Sequence, residues 1–465
     1  MEQSSLSYLR VIALTLTLAI WLALSGFFSL AHAQSSNTLP DYVIDEYGEP
    51  PEVPVGPLSR ELQLAAALAF IDGTKLTTWG DNQKQSLTTI GESGDPRLAW
   101  IVSDMLRFIT SRRRHKALSQ AASDLLGKTF KGRSSWHSVT SHLIAWDIPA
   151  PPDYLDYKRT IFTSNFPGWD KLFVEGSIDW RLVSWGGVLI DNRDYNMTDT
   201  VCNCIPAADN PDVTSAEDAR WIKDDEIVFG IEVNGEFRAY PRRTMEVREM
   251  VNDTLGGRSL GIPYCTLCGA AQAYFTDNIS GVDDKLVLRT SGLLSRSNKV
   301  MYDLNSHSIF DTFLGHAVTG PLLDKGVKLE QASVVTTDWG TWKREHPQTT
   351  ILLKRYALGR NPDFRNGRDK NGPIFPVGAV DPRLPVQEDV IGLVTASGTP
   401  IAFPRATALI ALTKGEEIEY ENIQLKLDAG GIRAVDNKGA DLGSHEAFWF
   451  AWSQFYPQTE IWAPL

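Results

Sequence analysis

The chain has little cysteine: four residues in 465. A protein of this length does not depend on disulfides for a core, so any cysteine chemistry is local. Positive charge is also scarce. The net charge of -12 argues against a general nucleic-acid binder, which shows a basic face. Arg112-Arg113-Arg114-His115-Lys116 is the main basic exception, and it reads as a solvated turn between two helices. No G-x-S-x-G, phosphate loop, H-E-x-x-H or dinucleotide fingerprint occurs. Residue 269 is Gly, so Cys265-Thr266-Leu267-Cys268 is no haem attachment site and the sequence offers no nucleotide or haem motif.

Long apolar runs are confined to the N-terminus. Val11 to Leu30 is almost entirely apolar, and Ala31-His32-Ala33 fits a cleavage site before polar Gln34. The expectation is a signal peptide over 1–33, export to the periplasm or beyond, and membrane contact through this segment alone; an uncleaved anchor is the rival. Residues 34–56 are polar and proline-rich and read as a linker.

Hydrophobic content of 43% with 22% charged residues fits a globular protein of more than one domain. Residues 57–150 carry helical spacing. Ser59 is a cap candidate for a helix to about Ile71, and Gly94-Asp95-Pro96 is a strong start signal. Leu98, Ile101, Val102, Met105, Phe108 and Ile109 then form one stripe. Two more helices fit 116–126 and 135–146. This pattern predicts a small HEAT-like helical domain, a scaffold or a contact for a protein partner. Residues 151–200 form an aromatic-rich connector, expected mainly in buried packing; its rival role is a contact surface.

From residue 201 the chain turns to strands. Asn234-Gly235 between alternating runs predicts a hairpin. Two stretches echo one another. Val228-Phe229-Gly230-Ile231 through Tyr240-Pro241-Arg242 is answered by Val390-Ile391-Gly392-Leu393 through Phe403-Pro404-Arg405. Trp339-Gly340-Thr341-Trp342 with Pro347-Gln348-Thr349 is answered by Trp449-Phe450-Ala451-Trp452 with Pro457-Gln458-Thr459. The fold class expected is α+β, with an echoed strand-turn-helix unit over about 226–354 and 388–465.

Cys265 and Cys268 lie between two strand-like runs, with Gly269 just beyond. This spacing suits a metal knuckle, which needs two thiolates on a tight turn and a residue tolerating positive φ after them. Cys202-Asn203-Cys204 can complete a four-thiolate site for zinc or copper, or pair with Cys265 and Cys268 in disulfides. A redox pair formed by Cys265 and Cys268 is a further alternative, although no helix follows to activate either thiol. Glu249, His307 and His316 are additional candidate ligands or bases.

Asp224-Asp225-Glu226, Gly230 to Glu236, Ala239-Tyr240-Pro241, Val251-Asn252-Asp253, Tyr264 to Gly269, Ser291-Gly292-Leu293-Leu294 and Val300 to Asp303 together resemble an exported family, domain of unknown function 3179, with a Tyr-Cys-Pro-Leu-Cys-Gly signature. The resemblance spans about 200–465 and brings no reaction with it. Four positions depart from the family pattern. Arg248 stands where His is common, Thr266 replaces Pro, and Phe310-Asp311 replaces a Trp and Gln. If that His ligates in relatives, Cys202 and Cys204 are its candidate replacements.

Overall fold

The computed structural model describes residues 39–71, 79–198, 202–359 and 371–464. The targeting segment over 1–33 lies outside the described residues. The chain divides after Asp45, and everything below concerns the unit from Glu46 to Leu465. Among the described residues no helix is long and apolar enough to cross a membrane.

Helices come first. Ser59 caps Arg60–Ala66 by accepting from the Leu62 amide, and a π-helical turn, Ala67–Ile71, extends it. Asp95 accepts from the Arg97 amide and opens Pro96–Leu98, which runs into Ala99–Phe108. That helix is central: Ala99 to Leu106 are all buried. Its one buried acid, Asp104, meets Lys158 Nζ and Tyr154 Oη, each at 2.7 Å, so the charge is paired where water cannot reach it. Ser135–Ala145 and Tyr154–Asn165 complete the layer with Asp81–Glu92 and Arg112–Leu126. The basic cluster is helical, not a turn: Arg112 to Lys116 are the first residues of Arg112–Leu126. Arg and Lys are good helix formers, and Ser111 ahead of them is extended, so the helix starts there.

The aromatic connector is buried packing. Tyr154, Phe162, Trp169, Phe173 and Trp180 are all buried. They join the helical layer to the strands that follow: Trp169 Nε1 donates to the Ser291 carbonyl, and Arg107 Nε donates to the Trp185 carbonyl.

Five small sheets then form a propeller-like ring. The first is antiparallel, in the order Val183–Trp185, Leu288–Ser295, Asn298–Asp303, Ile309–Asp311. The second carries Cys265 at the end of Arg258–Cys265, between Met250–Leu255 and Ala273–Phe275. A three-stranded sheet, Ile418–Tyr420, Ile423–Asp428, Gly431–Asp436, is all antiparallel.

The remaining two sheets share a plan. In one, Val335–Asp338, Ile227–Val233 and Glu236–Pro241 are antiparallel neighbours, and Thr350–Leu352 joins the last in parallel. In the other, His445–Phe448, Asp389–Val394 and Pro400–Pro404 are antiparallel, and Glu460–Ile461 joins in parallel. A Cβ built at Gly230 would fall 2.2 Å from the Trp342 ring, and one at Gly392 would fall 2.2 Å from the Trp452 ring. Each tryptophan donates Nε1 to a threonine Oγ1 seven residues on, Thr349 or Thr459, at 2.9 Å. The Asn234-Gly235 hairpin forms as the sequence predicts, with φ of +51° and +80°.

Candidate functional site

Strand Arg258–Cys265 delivers Cys265 into a tight turn. The Cys268 amide donates to the Cys265 carbonyl at 3.1 Å, Gly269 takes φ of +65°, and Ala270–Ala271 returns antiparallel to the strand. Cys265 and Cys268 are joined in a disulfide and are 3% and 0% exposed. The Ser297 carbonyl lies 3.9 and 3.6 Å from their sulfurs, and Asn298 Oδ1 lies 2.7 Å from Cys268 Sγ. The end of strand His445–Phe448, just before helix Trp449–Phe455 and its Trp452 corner, closes over the turn: the Phe448 amide donates to the Cys268 carbonyl at 2.8 Å, and the Phe448 ring covers Gly269.

Glu249 is beside this turn but is otherwise engaged. Its Oε2 meets Lys299 Nζ at 2.7 Å, and Thr266 Oγ1 donates to its Oε1 at 3.3 Å. Burial pushes the Lys299 ammonium below its ordinary pKa, against the pull of Glu249. His307 sits elsewhere, in a turn with its ring stacked on Tyr302. His316 lines the cavity described below, and burial lowers its pKa.

Cys202 and Cys204 form a second disulfide, next to Asp191. Asp191, Cys202 and Cys204 are the one group of three candidate metal-ligating side chains among the described residues, with their ligand atoms within 4.8 Å. Cys265 and Cys268 are not part of that group. As a chemical set, two sulfurs and a carboxylate can hold a metal ion, provided the disulfide is reduced. Asp191 already has partners, however. Arg193 grips it through Nε at 2.6 Å and Nη2 at 2.8 Å, and the Ala207 amide donates to it at 2.8 Å.

Arg248 explains itself as a clamp. It is fully buried; Nε donates to the Tyr356 carbonyl, and Nη1 donates to the carbonyls of Thr198 and Pro206, on either side of the Cys202-Asn203-Cys204 loop. Other motif residues are also scaffolding. Asn252 donates to Asp209 and the Leu288 carbonyl, and Asp253 accepts from Tyr240 and Arg238.

The residues left over from scaffolding surround a cavity of about 660 Å³. Arg296 and Lys299 reach it from the hairpin that joins Leu288–Ser295 to Asn298–Asp303; Asp311 and Thr312 reach it from the end of Ile309–Asp311; Gln454 and Phe455 reach it from helix Trp449–Phe455. The hairpin loop is Arg296-Ser297, with φ of +45° and +71°. Both conformations favour glycine, so two side chains are held there at a cost. Thus one four-residue stretch, Arg296 to Lys299, packs on the cysteine turn and also lines the cavity. Arg296 Nη2 donates to the Gln454 carbonyl at 2.9 Å, but its Nε is buried without a partner among the described residues. Thr312 Oγ1 and both amide atoms of Gln454 are likewise buried and unpartnered. The sequence held a signal for this hairpin that reading by cysteine missed: Ser295-Arg296-Ser297-Asn298 lies between two apolar runs at hairpin spacing with no glycine at the turn.

A search of curated proteins and a search of solved structures each returned no match. Residues 202–441, just over half of the chain, match DUF3179, described as a protein of unknown function, and the chain belongs to that family.

Proposed function

We propose that this is an exported ligand-binding protein whose cysteine pairs are closed staples rather than a metal centre or a thiol-exchange site. The observation that carries this reading is the sealed turn at Cys265 and Cys268. Both sulfurs are buried, they face oxygen atoms, and among the described residues no third ligating side chain joins them. A metal knuckle needs thiolates open to the ion, and an exchange site needs one sulfur within reach of a partner. The polar cavity on the other side of the Arg296–Lys299 stretch is the place for a ligand, because concave sites with a few convergent polar groups are where small molecules bind. Export rests on the Val11–Leu30 run and the small residues that follow it.

The second reading is a thiophilic metal, zinc or copper, at Asp191, Cys202 and Cys204, favoured by their proximity. Metal analysis of protein purified without chelators or reductant separates the two. The staple reading expects less than a tenth of an equivalent of zinc or copper, unchanged by Cys202→Ser with Cys204→Ser. Stoichiometric metal that is lost in that double variant would overturn it.

The two tryptophan corners are best read as copies of one unit, given their shared strand order and matching glycine–tryptophan contacts. The helical layer reads as a HEAT-type scaffold of paired helices: Asp81–Glu92 packs on Arg112–Leu126, and Ala99–Phe108 packs on Ser135–Ala145.

A further inference from the structure

We infer that the cavity at Arg296 is a recognition site for a small carboxylate, with Arg296 and Gln454 on the carboxylate and Asp311 on a hydroxyl or ammonium elsewhere in the ligand. This deepens the ligand-binding reading above. Its starting point is a set of unmet polar demands in one wall. Buried hydrogen-bonding groups in folded proteins are nearly always paired, because an unpaired one keeps the full cost of its lost hydration. Here Arg296 Nε, Thr312 Oγ1, Gln454 Nε2 and Gln454 Oε1 are all buried, all without a hydrogen-bond partner among the described residues, and all belong to residues that line one cavity.

The chemistry of the set selects the ligand. Arg296 makes no ion pair among the described residues, and its guanidinium lies over the Phe455 ring at 5.7 Å. Burial lowers its pKa, against the pull of Asp311, Asp179 and Asp147, so its charge is only partly compensated. A planar guanidinium beside a carboxamide donor fits a carboxylate, which accepts in the same fork geometry. Lys299 is committed to Glu249 and does not compete. Asp311 turns Oδ1 to the amides of Phe313 and Leu314 at 2.9 Å, leaving its other oxygen for a donor. Of the other acid in the lining, Asp179, both oxygens are taken by Arg181. The ligand therefore carries an anionic end and a hydrogen-bond donor. The strained Arg296-Ser297 turn is consistent with a side chain kept in place for a purpose beyond the fold.

Uronic acids and short peptides both carry a carboxylate with nearby donors, so one experiment takes both. Titration calorimetry is run with glucuronate, alanyl-alanine and acetate, and with the methyl esters of the first two. At least one acid binds with a Kd of about 1 mM or tighter, and its ester binds about tenfold more weakly or not at all. Which acid binds identifies the source. Thr312→Val and Gln454→Leu weaken that binding by about tenfold, while their ligand-free melting temperatures hold or rise, because each removes an unpaired buried group. Arg296→Lys keeps the charge and loses the fork, and it also weakens binding. The inference is overturned if none of the three acids binds, if ester and acid bind alike, or if the variants bind as the parent does. None of these outcomes depends on the state of the cysteines, so the staple can fail while the carboxylate site stands, and the reverse.

Discussion

The balance between stability and use shows first in single side chains. Ser297 holds a left-handed φ of +71° and a buried hydroxyl without a partner. Ser297→Gly relieves both, and urea melts should show a gain of about 1 kcal/mol. A loss would mean that the serine is paired in solution. Asp311 adds a dependence on pH. Burial raises its carboxyl from 3.8 to about 6. The folded protein then holds a proton that the unfolded chain releases. The stability this contributes is present below the unfolded value and is lost as pH rises toward about 6. Asp311→Asn cannot titrate. The stability of wild type relative to that variant should fall between about pH 4 and pH 6 and be flat above about pH 7. An unchanging difference across that range would show that Asp311 is not desolvated. Arg248 teaches a related lesson: read from sequence it is a missing ligand, and in the structure it is a clamp on three carbonyls.

At the scale of elements, the legible parts were those with a local cause. The Ser59 and Asp95 caps, the stripe from Leu98 to Phe108 and the Asn234-Gly235 turn follow from hydrogen bonding and periodicity within a few residues. The knuckle at Cys265–Cys268, with Gly269 in the left-handed region, was legible for the same reason. What was not legible depends on distance along the chain. Nothing near Cys268 announces that Phe448 will cover it, or that Ser297 and Asn298 will face its sulfur. The cavity draws Arg296, Asp311 and Gln454 from three separate elements, so no motif could collect them. Ser215-Ala216-Glu217-Asp218 has the residues of a helix start running through Trp221, yet Ser215 ends the strand Val213–Ser215 and turns follow it. Pairing of that strand with Thr350–Leu352 overrides weak local helix preference. The tryptophan corners carry a further prediction. Gly230→Ala and Gly392→Ala each press a methyl into an indole, and each should lose about 1–3 kcal/mol or more by chemical denaturation. Similar losses at both sites fit two copies of one unit, and tolerance at either would set them apart.

For the whole molecule, the cysteine turn is a joint between three sheets. It leaves the second sheet, packs on the first through Ser297, and is capped by Phe448 ahead of helix Trp449–Phe455. The same helix supplies Gln454 and Phe455 to the cavity, so its wall is complete only when that helix is packed against the first sheet. The disulfide closes a loop of only a few residues, and its chain-entropy contribution is correspondingly small, roughly 2 kcal/mol. Cys265→Ser with Cys268→Ser should therefore lower stability by about that amount and leave a folded protein, as read by circular dichroism and urea melts. Collapse of the fold would mean that the pair does more than staple. The most direct measurement is a disulfide map of the protein: free thiols are alkylated under denaturing conditions without reductant, and the digested peptides are weighed. No cysteine should be alkylated, with Cys202 linked to Cys204 and Cys265 linked to Cys268. Alkylation at Cys265 or Cys268, or links crossing between the two pairs, would contradict the staple reading.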